Sequence, residues 1–262
     1  MKLKKAEFKK IQRKIYDYCG INLHEGKQAL VRARVMKRIR ELGVRDFAHY
    51  LKYLENDSSG KEFLALVDVL TTNKTSFFRE SRHFEFIVEH VLPEISGRQV
   101  KWWSAGCSSG QEPVTCSIVI QEAGINPRAV KILGTDISRD VIRTAKQGVY
   151  PAKDIESIRS KLVRNYFNKV SDRQYQIAQK VRDMITYGRL NLKKSWPLDG
   201  LFQVIMCRNV MIYFNRETQQ ELVHRFRQLL EPGGYLFLGH SESIASADRN
   251  FENIKPAVYR KK

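Results

Sequence analysis

Residues 99–113 read "QVKWWSAGCSSGQEP", an apolar run that enters two glycines separated by small residues and ends on an acid and a proline. The spacing predicts a strand closing at Ala105, a tight turn through Gly106 and Gly110, and a helix carrying Glu112 and Pro113 in its first turn. Working outward, "VKILGTD" (130–136), "FQVIMC" (202–207) and "GYLFLG" (234–239) are further short apolar runs alternating with helical patterns. That texture predicts a parallel sheet with crossover helices, whose ligands collect outside the carboxyl ends of the strands. Between about 167 and 190, partial alternation and the turn formers in "NKVSD" predict a small antiparallel insertion.

The turn chemistry narrows the ligand. A phosphate loop would follow G-x-x-x-x-G-K-[ST], with a lysine to meet negative charge. Here Glu112 lies six residues after Gly106, which suits a positively charged group such as an ammonium or sulfonium. A second acid, Asp136, ends the next predicted strand, where a carboxylate accepts the hydroxyls of a ribose. Alone, Glu112 reads equally as an acid favourable at a helix start and Asp136 as a helix N-cap. On successive strand ends they favour an amine-bearing nucleoside, and S-adenosylmethionine is such a ligand.

Upstream, Phe8, Ile11 and Ile15 stand at helical spacing. A second segment from about Lys27 to Leu42 aligns Val31, Val35, Ile39 and Leu42 on one face, with Arg32, Arg34, Lys37, Arg38 and Arg40 around the remainder. "DFAHYLKYLEN" and "KEFLALVDVLTT", separated by a loop at "NDSSGK", complete a helical bundle over residues 1–75. The net charge is +18, and residues 1–40 hold 13 basic against 3 acidic residues. Such asymmetry points to an anionic partner: nucleic acid, a membrane surface or an acidic protein.

No apolar run approaches the length of a membrane span, and "MKLKKAEFKK" lacks the apolar core of a signal peptide, so a cytoplasmic location is expected. Cys19, Cys107, Cys116 and Cys207 are scattered and predict reduced thiols. The six histidines, including His83, His90 and His240, show no metal-like clustering in the sequence, so no metal is expected.

Five phrases in order, "TTNKTSFFRE", "WSAGCSSGQEP", "GTDIS", "CRNVMIYF" and "PGGYLFLGHSES", resemble the chemotaxis receptor methyltransferases, the CheR family. The resemblance implies an α/β fold: a Rossmann-like class I methyltransferase domain over 76–262, carrying a small antiparallel β-subdomain and preceded by an all-α domain. It implies methyl transfer from S-adenosylmethionine to glutamate side chains on the cytoplasmic helices of chemoreceptors, with S-adenosylhomocysteine as product. The cofactor contacts it implies fall on Asn73, Thr75, Arg79, Glu112, Asp136, Asn191, Leu192, Cys207, Arg208 and Asn209, and Tyr213 would border the methyl group.

Within this resemblance Arg34, Lys37 and Arg38 are expected to meet the receptor. "QEP" at 111–113 departs from the family's commoner two acids before proline, but Glu112 remains. Some family members grip a receptor's terminal peptide through a glycine-containing loop of the β-subdomain, whereas "NKVSDRQYQIAQ" has no glycine. Two competing readings are a nucleic-acid methyltransferase and a non-catalytic cofactor-sensing adaptor. Against the first, "CRNVMIY" replaces the [DNS]-P-P-[YF] loop of many adenine-methylating enzymes; against the second stands the intact run of cofactor residues.

Overall fold

A computed structural model of the chain describes residues 1–244 and 249–262. It divides into two compact units, 1–72 with 213–218 and 73–212 with 219–262. No helix among the described residues is long and apolar enough to cross a membrane.

The first unit is built from α1 (Lys5–Cys19), α2 (Gln28–Glu41), α3 (Phe47–Asn56) and α4 (Lys61–Leu70). Phe8, Ile11, Ile15 and Cys19 line the buried face of α1, which stops where Gly20 turns left-handed and returns its N–H to Tyr16. Val31, Val35 and Ile39 form the buried seam of α2. Asp46 caps α3 by accepting from the His49 N–H at 2.9 Å. The segment 213–218 joins this unit: the Asn22 N–H donates to the Tyr213 carbonyl at 2.8 Å, and the Asn215 amide donates to the Tyr16 hydroxyl at 2.9 Å.

One polar cluster interrupts this apolar packing. Glu62 is buried and accepts from Arg38 at 2.5 and 3.0 Å and from the Tyr50 hydroxyl at 2.7 Å. The Glu62 hydrogen bond holds the Arg38 pKa above its ordinary value, while burial and the same carboxylate push the Tyr50 phenol upward. Arg34 is also engaged: its guanidinium donates to the Leu70 and Thr71 carbonyls at 2.8 and 2.9 Å, closing the last turn of α4.

Among the described residues of the second unit, ten strands form two sheets. They are β1 (Val100–Ala105), β2 (Val130–Asp136), β3 (Val149–Pro151), β4 (Phe167–Ser171), β5 (Gln174–Ile177), β6 (Ile185–Arg189), β7 (Phe202–Cys207), β8 (Leu230–Leu238), β9 (Phe251–Lys255) and β10 (Val258–Lys261). The large sheet runs β6-β2-β1-β7-β8-β10-β9, parallel from β6 to β8 and antiparallel at β10 and β9. Trp102, Ile132, Val204 and Met206 bury one of its faces against Phe86, Val91, Cys116 and Ile120. With β2 on one side of β1 and β7 on the other, the strand order reverses at β1, opening a crevice at its carboxyl end.

The small sheet, β3-β5-β4, is antiparallel. Its composition corrects the expected 167–190 insertion in two ways. β3 comes from an earlier segment, and β6 leaves the insertion to pair in parallel with β2, Ile132 opposite Ile185 through Asp136 opposite Arg189. The physical reason is that β6 is the edge of the large sheet. Its residues are half-buried or exposed, so it lacks the continuous buried run of a central parallel strand.

The buried Arg38–Glu62 pair yields a stability prediction. Arg38→Ala leaves a buried carboxylate with only the Tyr50 donor and is expected to lower the unfolding free energy by about 3 kcal/mol. Lys37→Ala, at an exposed position one residue away, is expected to change it by less than about 0.5 kcal/mol. Urea denaturation checks both, and equal effects would refute the role given to the pair.

Candidate cofactor site

The site assembles at the carboxyl ends of β1, β2 and β7. Beyond β1, the Gly106 and Cys107 N–H groups both donate to the Thr135 carbonyl, at 2.8 and 2.9 Å, stitching the turn to the end of β2. Gly106 and Gly110 have φ of 87° and 94°. A Cβ on Gly110 would lie 2.8 Å from the Tyr187 hydroxyl, so a side chain is excluded there by space as well as by backbone. Between the glycines, Ser108 (φ 51°) donates its N–H to Asp136 at 2.9 Å and its hydroxyl to the Asn73 carbonyl at 2.9 Å. The other Asp136 oxygen accepts from the Ser138 N–H at 3.0 Å.

Gly110 opens the helix Gln111–Glu122, which places Glu112 in its first turn, where the helix dipole favours an anion. Glu112 accepts from the Ser104 hydroxyl at 2.7 Å and from Arg208 at 3.0 Å. The Arg208 guanidinium is almost wholly buried; it also pairs with Glu80 at 3.0 Å, donates to the Arg79 carbonyl, and lies over the Phe84 ring. Burial opposes ionisation of Glu80, but Arg208, Asn209 and His240 outweigh it and hold the carboxyl below its ordinary pKa. Asn209 (φ 58°) donates its side chain to Glu80 at 3.1 Å and its N–H to Glu242 at 2.7 Å. Glu242 also accepts from the Gly239 and Ile212 N–H groups, at 2.6 and 3.1 Å, fixing the loop after β7. Among the described residues, five non-glycine positions have positive φ, and four of them, Phe78, Glu80, Ser108 and Asn209, stand at this site. Strain of that kind persists where surrounding contacts overdetermine the backbone.

Most of the remaining expected positions lie in the same unit. Arg79 donates to the Lys74 carbonyl at 2.9 Å, and Thr75 is half-buried beside it in sequence. The Leu190 N–H donates to the Asp136 carbonyl, bringing Asn191 and Leu192 next to the end of β2. There the Asn191 side chain accepts from the Lys193 N–H at 3.0 Å, and Leu192 is buried. Cys207 is fully buried and its thiol is pushed well above its ordinary pKa, first by burial and then by Glu242 and Glu112, so it forms a neutral wall. Tyr213 is grouped with the helical unit, half-buried, with Lys27 over its ring at 5.4 Å. Of the expected receptor contacts, Arg34 and Arg38 spend their guanidinium groups inside the bundle and Lys37 is exposed.

Sequence reasoning assigned no role to Ser104, Glu80 or Glu242, although all three fall within quoted phrases. The histidine expectation needs correction. The fold brings His83 and His240 together beside Glu80, each with a ring nitrogen 3.7 Å from the same carboxylate oxygen. Their separation along the chain hides this cluster from any spacing rule.

Glu112 keeps acceptor capacity beyond its two bonds, since a carboxylate offers about four lone-pair sites. The buried hydroxyls of Ser138 and Tyr187, beside Asp136 and Gly110 respectively, meet no partner among the described residues. Acids at two successive strand ends, with orphaned hydroxyls nearby, fit an amine-bearing nucleoside. On this sheet they define the class of S-adenosylmethionine-dependent methyltransferases.

Comparison with known proteins agrees. Residues 73–260 match the CheR methyltransferase SAM-binding domain and residues 6–71 the CheR methyltransferase all-alpha domain. The chemotaxis protein methyltransferase of Borreliella burgdorferi is 36% identical over 98% of this chain and 94% of its own length. That of Escherichia coli is 35% identical over 98% and 91%, and the probable chemotaxis protein methyltransferase of Rhizobium etli is 39% identical over 94% and 96%. The chain belongs to the CheR methyltransferase family.

Burial holds the His83 imidazole at a pKa of about 4, with Arg208 and His240 opposing its charge and Glu80 partly favouring it. Its folded pKa lies below its unfolded value near 6.5, so the unfolded state binds the extra proton between them. Stability is therefore expected to fall as pH drops from about 6.5 to about 4. Thermal melts across that window, with chelator present, should show a shallower decline for His83→Asn than for the wild type. Parallel curves would refute a neutral buried imidazole.

Proposed function

We propose that the chain is a protein-glutamate O-methyltransferase that methylates glutamate side chains on the cytoplasmic helical domain of chemoreceptors, giving glutamate methyl esters in chemotactic adaptation. The observation that supports this reading best is the Glu112 carboxylate, set by Ser104 and Arg208 at the switch point of the sheet. In this reading the protein works in the cytoplasm.

When bound, S-adenosylmethionine supplies an electrophilic methyl group on a sulfonium. Glu112 would hold its ammonium and Asp136 its ribose, with Asn191 and Leu192 beside the adenine and Asn73, Thr75 and Arg79 covering it. Arg208 pairs with Glu112 and aims it, while Cys207 and Leu192 exclude water with apolar or neutral surface. The accepting glutamate, with an ordinary pKa near 4.3, is already a carboxylate at neutral pH, so no residue need act as a general base. Alignment of the two reactants and exclusion of water then supply most of the rate. Lys37 and Arg40, exposed on α2, would steer the acidic receptor helices; Arg34 and Arg38 would shape that face from within.

Incubating the protein with methyl-labelled cofactor, receptor cytoplasmic fragments and nucleic acid is expected to give base-labile label on the receptor. Stable label on nucleic acid would mark a nucleic-acid methyltransferase, and no label a cofactor-sensing adaptor. Glu112→Gln and Asp136→Asn are each expected to weaken S-adenosylhomocysteine binding by roughly ten-fold or more, since each removes a charge from a hydrogen bond; calorimetry decides, and wild-type affinity in both would sink the assignment. Tyr213→Phe is expected to slow methylation with little change in cofactor affinity.

Reversing Lys37 and Arg40 to Glu is expected to reduce receptor methylation, with cofactor affinity and melting temperature retained. The wild-type rate should itself fall as salt rises. Undiminished methylation by the folded variant would leave the basic helix as a solvated face.

A further inference from the structure

Beside the cofactor site, the second unit gathers three groups with metal-binding chemistry that the methyl-transfer reading leaves unused. We propose that Glu80, His83 and His240 form a site for a divalent transition-metal ion of the zinc class. One ligand atom from each lies within 4.8 Å of the others, and Glu80 Oε2 is 3.7 Å from both His83 Nδ1 and His240 Nε2. Around a tetrahedral ion with bonds near 2.0–2.1 Å, donor atoms stand roughly 3.4 Å apart. Two of the separations therefore need to contract by only a few tenths of an ångström.

The second observation is His83 itself. It is 3% exposed, yet neither ring nitrogen has a hydrogen-bond partner among the described residues. A buried polar group without a partner destabilises the fold, and an ion bound through Nδ1 would satisfy one of these nitrogens. The two imidazole rings stand edge to face, centroids 4.9 Å apart. His240 has a half-exposed side chain, which gives an ion a path in and leaves the ring free to turn toward it.

The surroundings also orient the carboxylate. Asn209 donates to Glu80 Oε1, and Arg208 holds Oε2 while its other arm pairs with Glu112. These outer contacts fix a ligating group in the way that conditions metal sites generally. Glu80 and Glu112 together outweigh the Arg208 charge by one unit, so the cluster has negative charge to offer a cation despite the guanidinium. Two imidazoles and one carboxylate select zinc, cobalt or nickel over magnesium and calcium, which take oxygen ligands, and leave a fourth position for water.

The test uses the full chain, stripped with chelator and titrated with Co2+ alone, read by visible d–d absorption and calorimetry. One equivalent is expected to bind with the intense absorption of four-coordinate Co2+, and Zn2+ should displace it. His240→Ala, a change at a half-exposed position, is expected to keep the melting temperature and weaken binding at least ten-fold. His224→Ala, at an exposed histidine elsewhere in the same unit, should bind as the wild type does. Absence of the four-coordinate spectrum, or equal affinity in His240→Ala and wild type, would overturn the proposal.

Discussion

Arg208 carries a full charge into the interior, and the site is organised around keeping that charge answered. Removing a guanidinium from water is unfavourable by several kcal/mol unless charged partners meet it with good geometry. Glu112 meets one arm and Glu80 the other, so the helix start after β1, the segment around Arg79 and the end of β7 are tied through one side chain. Left-handed backbone at Glu80 and Asn209 is held in place by the same contacts, because relaxing either would strip a buried charge or amide of its partner. Glu242 completes the arrangement from the end of β8 by gathering backbone N–H groups that would otherwise lack acceptors.

The helical unit uses the same device. Arg38 and Glu62 form a buried pair supported by Tyr50, as Arg208 and Glu112 do with Ser104. In the bundle the pair joins α2 to α4. At the strand ends the carboxylate keeps more of its acceptor capacity, with two bonds where Glu62 has three.

How far the sequence disclosed this depends on the range over which each feature is written. β1, β2 and β7 are buried apolar runs ending at polar turns, and the helix face of α1 is carried by spacings of three and four; such patterns are local and were legible. The placement of Glu112 and Asp136 at successive strand ends was legible for the same reason, since Asp136 closes β2 and Glu112 lies in the first turn of the helix after β1. β6 was misread because an edge strand of a parallel sheet lacks the continuous buried run of a central one. Arg34 and Arg38 looked like surface charges because their partners, Leu70 and Glu62, lie on another helix. Glu80 acquires its role only through Arg208, 128 residues away, and His83 meets His240 only through the folded sheet. Pairings of that kind leave no trace in spacing.

The segment 213–218 has a consequence for the order of events at the ribosome. The first 72 residues supply α1 to α4 of the first unit, but the bond from Asn215 to the Tyr16 hydroxyl spans 199 positions and the Asn22 N–H bonds the Tyr213 carbonyl. At roughly 5–20 residues per second, the interval between emergence of residue 72 and residue 218 is on the order of ten seconds. Throughout it the bundle is a nascent domain with open hydrogen-bonding positions, and its completion is timed by translation of the sheet that follows.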